Sequence, residues 1–218
     1  MRIIFWNVDT QYDFMRDDNS FKGALPVPGA RKIEKNLETL TNAARKYNLQ
    51  IVNTADWHTR DSKEFSKNPD YKTTFPEHCL QGTKGARFVP ATKPLDAYIV
   101  DWQKSYDERE LAYNVLNSKE TVIYKDAFDV FEGNPYTQEI VGLLAPSKVI
   151  IYGVAANVCV DFAVKGLLNP LFGIKEIYVV EDAIKGLPNL PLEETINGWK
   201  EKGVRLIKAR DVKKYCLD

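Results

Sequence analysis

The sequence predicts an α/β fold, a three-layer sandwich whose mostly parallel, doubly wound sheet carries helices on both faces. Short apolar runs rich in β-branched residues recur along the 218-residue chain, and stretches of helical period separate them. Runs that are apolar at consecutive positions are typical of strands covered on both faces. Strands that alternate with helices imply parallel pairing through crossover helices.

Six strands are predicted, and we expect residues 1–218 to form a single domain. The chain contains no internal repeat, low-complexity tract or Gly- or Ser-rich linker that would divide it. The predicted strands are Arg2–Val8, Gln50–Thr54, Glu120–Tyr124, Lys148–Val154, Ile177–Val180 and Val204–Ile207.

Five helices are predicted between and after these strands. In the first, within Gly29–Tyr47, the apolar side chains of Ile33, Leu37, Leu40 and Ala44 fall on one face. The other four are marked by Leu111 with Val115 or Leu116, by Ile140, Leu143 and Leu144 before Pro146, by a start near Asn157, and by Leu192, Ile196 and Trp199 with Gly203 as C-terminal cap. The segment 91–119 allows an extra strand and helix, or a lid and subunit contact.

Composition narrows the class of protein and its partners. Thirty basic residues balance thirty acidic ones, so the chain has no electrostatic reason to bind nucleic acid or anionic lipid. No apolar run approaches the ~18 residues of a membrane span, and the first residues do not read as a secretory signal. Three widely separated cysteines favour a reducing compartment. We expect a cytoplasmic protein and leave open a homo-oligomer.

Reactive side chains follow the predicted strands, and parallel sheets place their sites at these strand ends. Cys159 follows one strand in the first turn of a helix, with Asn157 as expected N-cap, where its thiol should lose a proton more readily. Lys125 would act in the same direction, and Asp9 could accept the thiol proton. The alternatives are an inert buried cysteine, a solvated lysine and a turn aspartate.

The chain has only two histidines, His58 and His78. Asp56 and His58 are two residues apart in an extended segment, so both side chains can point to one face. An Asp and His set suits zinc, iron or manganese. The alternative is two unrelated surface histidines. Cys79 is expected to be packed, although it could be a soft ligand, and Cys216 is expected to be incidental.

A family resemblance rests on several motifs taken together, over roughly residues 1–210. The motifs are Asp9-x-Gln11-x-Asp13-Phe14, Ala24-Leu25-x-Val27-x-Gly29, Asp56-Trp57-His58, Phe75-Pro76-x-His78-Cys79-x-x-Gly82-Thr83, Lys125, Gly153-Val154-Ala155-x-x-x-Cys159-Val160 and Glu181-Asp182-Ala183. In this order they resemble the nicotinamidase (pyrazinamidase) branch of the isochorismatase-like cysteine hydrolases. Isochorismatase-type relatives generally lack the metal-binding motif, which here is Asp56-x-His58 with His78. Its presence therefore favours the nicotinamidase branch.

The resemblance implies the three-layer α/β fold and a specific set of site residues. It assigns a catalytic triad to Asp9, Lys125 and Cys159, and the ligands of one divalent metal ion to Asp56, His58 and His78. Zinc is the favoured ion, with iron or manganese as alternatives. Many relatives have a further histidine after Asp-x-His, and here Ser62, Glu64 or a water would fill that place.

The resemblance also implies how the substrate is held. It places a cis peptide bond between Val154 and Ala155, and an oxyanion hole at the backbone N–H groups of Ala155 and Cys159. The side chains expected at the substrate are Phe14 and Phe75, which would sandwich a pyridine ring, with Trp57 as a wall and Val154 nearby. Asp13 is expected to be a structural or capping group.

The expected activity is metal-dependent hydrolysis of nicotinamide to nicotinic acid and ammonia, through a thioester on Cys159. Nicotinamide is the expected small-molecule partner, and a homo-oligomer remains open. One alternative is a related cysteine hydrolase that acts on another small amide, such as a carbamoyl or ureido compound. The other is a non-catalytic member of the family that binds a ligand.

Overall fold

A computed structural model describes the backbone of residues 2–217 and the side chains of residues 2–215. The expectation for Cys216 therefore lies outside the described side chains. The strands of this part of the chain are β1 (Ile3–Val8), β2 (Asp17–Asp18), β3 (Phe21–Lys22), β4 (Gln50–Asp56), β5 (Tyr98–Asp101), β6 (Glu120–Lys125), β7 (Lys148–Val154), β8 (Glu176–Lys185) and β9 (Arg205–Ile207).

Helices connect most of these strands. The α-helices are α1 (Tyr12–Met15), α2 (Glu34–Lys46), α3 (Glu108–Asn117), α4 (Val130–Gly133), α5 (Thr137–Leu144), α6 (Cys159–Leu167), α7 (Leu192–Glu201) and α8 (Val212–Leu217). Within residues 2–217, every helix is too short or too polar to cross a membrane.

Seven of the strands form one sheet in the order β5-β6-β4-β1-β7-β8-β9, and every neighbouring pair is parallel. Strand β1 lies at the centre, and all six of its residues are buried. The remaining strands, β2 and β3, form a small antiparallel hairpin. The predicted α/β fold with a mostly parallel sheet is confirmed.

The predicted strands are all present, and apart from β8 their bounds lie within two residues of the prediction. Strand β8 continues to Lys185, beyond the predicted end at Val180. The segment 91–119, left open from the sequence, contains an extra strand and helix, β5 and α3. Strand β5 is an edge strand, with Ile99 45% exposed, so it lacks the continuous apolar run that marks the central strands.

The helices follow the apolar spacing, with one wrong cap. Helix α3 buries Val115 and leaves Leu116 exposed, which decides between the two alternatives. Gly203 follows α7 with a positive φ of 86°, as a C-terminal glycine should. Asn157 does not cap α6, because the helix begins only at Cys159, after Val158. The Asn157 side chain instead bonds the 187–190 segment.

The sheet register brings the site residues to one edge. Val8, the last residue of β1, pairs with Thr54 of β4 and with Gly153 of β7. Asp56 pairs with Lys125 across β4 and β6. Because all four strands are parallel, the residues at and just beyond their carboxyl ends lie side by side.

Candidate active site

A single lysine holds the first group of functional side chains together. Lys125 Nζ lies 3.0 Å from Asp9 Oδ2 and 3.9 Å from Cys159 Sγ, and it also pairs with Asp56 Oδ1. It further donates a hydrogen bond of 3.0 Å to the Ala127 carbonyl. Lys125 is 1% exposed, so its charge is balanced by these two carboxylates rather than by water.

Asp9 is fixed at the end of β1 by its backbone and its neighbour. Its φ of 47° lies in the left-handed region, which is uncommon for a residue other than glycine. The Thr54 hydroxyl donates a 2.6 Å hydrogen bond to Asp9 Oδ1, and Asp9 N donates to the Thr54 carbonyl at 3.2 Å. Oδ1 is thereby occupied, and Oδ2 is left to face Lys125.

Burial sets the proton affinities of this group. It raises the pKa of the Cys159 thiol well above its usual value, although Lys125 acts in the opposite direction. Burial also raises the pKa of Asp9 against the pull of Lys125. Burial alone would lower the pKa of Lys125, but Asp56 and Asp9 raise it. The thiol is thus protonated at rest, and Asp9 is a more basic acceptor than an ordinary aspartate.

The turn between β7 and α6 presents Cys159. The Val154–Ala155 peptide bond is cis, as the family resemblance implied. The Ala155 carbonyl accepts hydrogen bonds from Val158 N at 3.0 Å and Val160 N at 3.1 Å. Cys159 is the first residue of α6, so its N–H has no acceptor within the helix. An oxyanion hole at Ala155 and Cys159 remains a prediction.

A second group of side chains converges beside the first. Ligand atoms of Asp56, His58, Glu64 and His78 all lie within 4.8 Å of one another. Asp56 Oδ2 is 3.5 Å from Nε2 of each histidine, and His58 Nε2 is 3.7 Å from Glu64 Oε2. All four residues are buried. We call this group the cation cluster.

The far sides of both histidines are anchored. His58 Nδ1 lies 2.6 Å from Asp126 Oδ1 and 3.2 Å from Ser62 Oγ. His78 Nδ1 lies 2.8 Å from the Pro76 carbonyl oxygen. These contacts turn each Nε2 inward, which is the usual arrangement behind metal-binding histidines. Ser62 therefore lies behind His58 and does not face the cluster. Glu64 does face it, in the place for which the sequence allowed Ser62, Glu64 or a water.

The cation cluster fits a divalent metal ion. Among the described residues, His58 Nε2 and both carboxylate oxygens of Glu64 are buried without a hydrogen-bond partner. Buried polar atoms without partners are costly, and a bound cation would satisfy all three. Two imidazole nitrogens and two carboxylates form a donor set that suits zinc, iron or manganese.

Without a cation, the buried charges of the cluster shift the pKa values of its own side chains. Burial alone would lower the pKa of His58, but Asp56 and the hydrogen bond with Asp126 raise it to about 9. Burial, reinforced by Asp56, raises the pKa of Glu64 to about 8. Protons thus take the place of a cation at neutral pH, and a metal ion must displace them to bind.

Gln11 fixes Asp56, the residue that belongs to both groups. Its Nε2 donates to the Asp56 carbonyl at 2.7 Å and to the Ala86 carbonyl at 2.8 Å, while Asp56 N donates to its Oε1 at 2.8 Å. The side-chain amide of Gln11 thereby pairs with both backbone groups of Asp56. Sequence reasoning gave Gln11 no role, although it stands two residues after Asp9 in the first motif.

Asp13 supports the loop that carries His78. Its carboxylate accepts hydrogen bonds from Cys79 N at 2.7 Å and Ala24 N at 3.0 Å. Gly85 lies against the same carboxylate, and a Cβ there would fall 2.1 Å from Asp13 Oδ2. Asp13 is therefore a structural group, as expected. Cys79 is buried and packed, with its Sγ 3.9 Å from the Gly85 carbonyl oxygen.

A small cavity of about 20 Å³ separates Cys159 from the aromatic side chains. Of the expected substrate-binding residues, Phe14 and Phe75 line it, and Val154 does not. Sequence reasoning missed several other apolar lining residues, namely Leu25, Val27, Phe128, Val158 and Leu187. Most of them come from loops that strand-end reasoning does not reach.

Trp57, expected as a wall of the substrate site, does not line this cavity. Its ring stacks on Tyr124, with 4.3 Å between the centroids, and lines a separate groove. Asp56 and His58 face the cation cluster, so the residue between them in an extended segment points to the other face of the sheet.

The sequence of the chain was compared with protein families and with curated proteins. No protein-family model matches the chain. An 84-residue stretch is 34% identical to the nicotinamidase/pyrazinamidase of Mycobacterium tuberculosis, and this match covers 38% of the chain and 42% of that protein. The chain therefore matches less than half the length of this curated relative.

Solved structures match over almost the whole chain. The pyrazinamidase of Pyrococcus horikoshii in complex with zinc is 26% identical, with a TM-score of 0.70, over 95% of this chain and 99% of that one. The chain has the isochorismatase-like hydrolase fold and resembles the nicotinamidase branch. The N-carbamoylsarcosine amidase of Thermoplasma acidophilum shares the fold, with 19% identity and a TM-score of 0.69 over 96% of this chain and 97% of that one.

Proposed function

We propose that this chain is a metal-dependent nicotinamidase, which hydrolyses nicotinamide to nicotinic acid and ammonia through a thioester on Cys159. The observation that carries the proposal is the shared position of Asp56. One of its oxygens pairs with Lys125, beside Asp9 and Cys159, and the other faces both histidines of the cation cluster.

In the first half of the reaction, Asp9 accepts the Cys159 proton and the thiolate attacks the carboxamide carbon. The Lys125 ammonium stabilises the charge on both groups. The oxyanion is held by the backbone N–H groups of Ala155 and Cys159, and one such donor contributes roughly 3 kcal/mol. The carbon–nitrogen bond breaks as Asp9 returns its proton to the leaving amide nitrogen, which departs as ammonia.

In the second half, a water molecule enters the place that ammonia has left and hydrolyses the thioester. Asp9 takes a proton from the water as its oxygen attacks the acyl carbon. The carbon–sulfur bond then breaks, and the proton goes back to Cys159 Sγ. Nicotinic acid leaves, and the resting thiol and carboxylate are restored.

Asp56, His58, Glu64 and His78 would hold the divalent cation, with zinc as the first choice and iron or manganese as alternatives. When bound, the cation supplies a Lewis-acidic point that orients the pyridine nitrogen. The resemblance to a pyrazinamidase solved with zinc supports this proposal.

The cavity walls favour an uncharged aromatic amide over a carbamoyl amino acid. Phe14, Phe75 and Phe128 line the cavity, and its charged or titratable lining is limited to Asp56, His78 and Cys159, with neither lysine nor arginine among the lining residues. Lys125 is already engaged by two carboxylates. The carboxylate of N-carbamoylsarcosine would find a positive charge only at the bound cation, whereas the aromatic and aliphatic walls match a pyridine ring over most of its surface. A pyridine ring needs more room than 20 Å³, so the apolar walls must move outward when it enters.

The experiment is a comparison of ammonia release from nicotinamide and from N-carbamoylsarcosine by zinc-loaded protein. We expect rapid release from nicotinamide and at least about 100-fold slower release from the carbamoyl compound. Mass spectrometry of acid-quenched protein should show a nicotinoyl group on Cys159. Ammonia release from nicotinamide without dependence on Cys159 would refute the covalent route, and preference for the carbamoyl compound would refute the substrate.

A further inference from the structure

A second concave surface lies back to back with the candidate active site. Side chains alternate between the two faces of an extended segment, so residues next to the site residues point away from it. Trp57 stands between the two cluster residues of its extended segment, and Tyr124 precedes Lys125 in β6, whereas Tyr12 begins helix α1 directly after Gln11. All three aromatic side chains line a groove of about 830 Å³, which we call the rear groove.

The floor of the rear groove is apolar and partly aromatic. The stacked rings of Trp57 and Tyr124 are 10° from parallel, and both side chains are half-buried. Val122 of β6 and its β5 partner Ile99 continue this floor toward the edge of the sheet. The volume lies within the range of small-molecule sites, about 300–1,000 Å³.

The rim of the rear groove is positively charged. Lys84, Arg87 and Lys93 line it and are exposed, and no acidic side chain does so. Among the described residues, none of these three cations forms an ion pair with a carboxylate. Lys84 Nζ lies 5.2 Å from the centroid of the Tyr12 ring.

The charge of this rim is a local feature. The whole chain carries equal numbers of basic and acidic residues, so an unpaired cationic rim does not follow from its composition. Asp101 is the strand partner of Tyr124, but it does not line the groove. Its carboxylate accepts a 3.0 Å hydrogen bond from Gln103 N and forms no ion pair with the three cations. The groove thus offers an apolar floor next to three described cations that have no carboxylate partner, of which Lys84 lies over the rings of Tyr12 and Phe21.

We propose that the rear groove is a second binding site, which takes a nucleoside monophosphate. An aromatic base would lie on the apolar floor, and the phosphate would lie among Lys84, Arg87 and Lys93. Base stacking and ion pairing with a phosphate are complementary to these two features. A ligand bound there would not overlap the catalytic cavity, because the strands separate the two.

The test is a calorimetric titration of zinc-loaded protein with adenosine 5′-monophosphate at low salt. We expect saturable binding with a Kd on the order of 0.1 mM or tighter. Adenosine alone and inorganic phosphate alone should each bind at least about tenfold more weakly, because each meets only one feature of the groove. Added salt should weaken binding of the monophosphate.

Two matched variants locate the site. The double variant Arg87→Glu/Lys93→Glu should weaken binding of the monophosphate at least about tenfold. Lys200→Glu/Lys202→Glu makes the same change of charge on exposed residues outside the groove and should bind it normally. Both variants should retain ammonia release from nicotinamide, which shows that they fold.

Three results would overturn the proposal. The first is the absence of saturable binding. This result includes a dimer that buries the groove, which ultracentrifugation would detect and which the Arg87→Glu/Lys93→Glu variant would dissociate. The second is equal loss of binding in both double variants, which would indicate general charge attraction. The third is competition between the monophosphate and nicotinamide, which would place the ligand in the catalytic cavity.

Discussion

The two halves of the candidate site share Asp56 but differ in how their buried charges are balanced. Around Cys159, the Lys125 ammonium lies between Asp9 and Asp56 and forms an ion pair with each. In the cation cluster, His58 Nε2 and both Glu64 oxygens have no partner among the described residues. The first half contains its own cation, Lys125, whereas the second has buried atoms that a bound cation would satisfy.

The halves also differ in their supports. The groups around Cys159 lie at the ends of central strands, and hydrogen bonds of the sheet fix them. Of the cation cluster, only Asp56 belongs to a strand. His58, Glu64 and His78 come from the long connection between β4 and β5. Mutations should therefore separate chemistry from cation binding.

The largest effect is expected for Cys159→Ala. Ammonia release from nicotinamide should fall by about 10⁴-fold or more, because the nucleophile is lost. Zinc stoichiometry, measured by elemental analysis, should be unchanged. Cys79→Ala removes the other described buried thiol and should keep activity within a few-fold. Loss of zinc in Cys159→Ala would show that the halves are not separable.

A smaller effect is expected for Glu64→Gln, which retains the size of the side chain and removes its charge. Zinc affinity, measured by chelator competition, should fall by about 100-fold, and excess zinc should restore turnover. Ser62→Ala removes only a 3.2 Å contact behind His58 and should cost less than Glu64→Gln. Equal losses in the two variants would argue against Glu64 as a ligand.

Zinc affinity should depend on pH more steeply than ordinary histidine ligation would. Without a cation the pKa of His58 is about 9 and that of Glu64 about 8, so both groups are protonated below pH 8. Zinc must displace these protons, so its affinity should rise with pH by about tenfold or more per unit from pH 6 to 8 and fall as pH decreases. A flat profile measured by calorimetry would contradict the charge imbalance.

The smallest effect is expected for Gln11→Glu. The carboxylate keeps the acceptor for Asp56 N and loses the donor to the Asp56 and Ala86 carbonyls. Turnover and zinc affinity should each fall by about tenfold, because Asp56 serves both halves. Gln81→Glu is the matched control, since Gln81 bonds Trp57 and Gln103 instead. A change in only one property would limit Gln11 to one half.

The same difference in support decided how far the sequence could predict the site. Asp9, Asp56, Lys125 and Cys159 were found because strand ends of a parallel sheet share one edge. Glu64 could not be separated from Ser62, because that choice depends on how a long connection folds back. Alternation with Asp56 and His58 predicts the side on which Trp57 lies, whereas its expected role at the substrate came from the family resemblance.

The fold was predictable to a similar degree. Central strands and amphipathic helices follow from runs and periods of apolar residues, whereas β5 is a half-exposed edge strand without such a run. The N-cap at Asn157 failed because its side chain bonds Leu187 and Leu190 of a distant segment. Local spacing alone does not contain such a long-range contact.

The most direct measurement is zinc stoichiometry and ammonia release in Asp56→Asn, beside Asp9→Asn and His78→Asn, with thermal unfolding to verify folding. We expect Asp9→Asn to bind zinc and lose turnover, and His78→Asn to lose zinc and regain turnover when zinc is in excess. Asp56→Asn should lose zinc and should not recover turnover with excess zinc. If Asp56→Asn either retains zinc or recovers full turnover, Asp56 does not join the two halves.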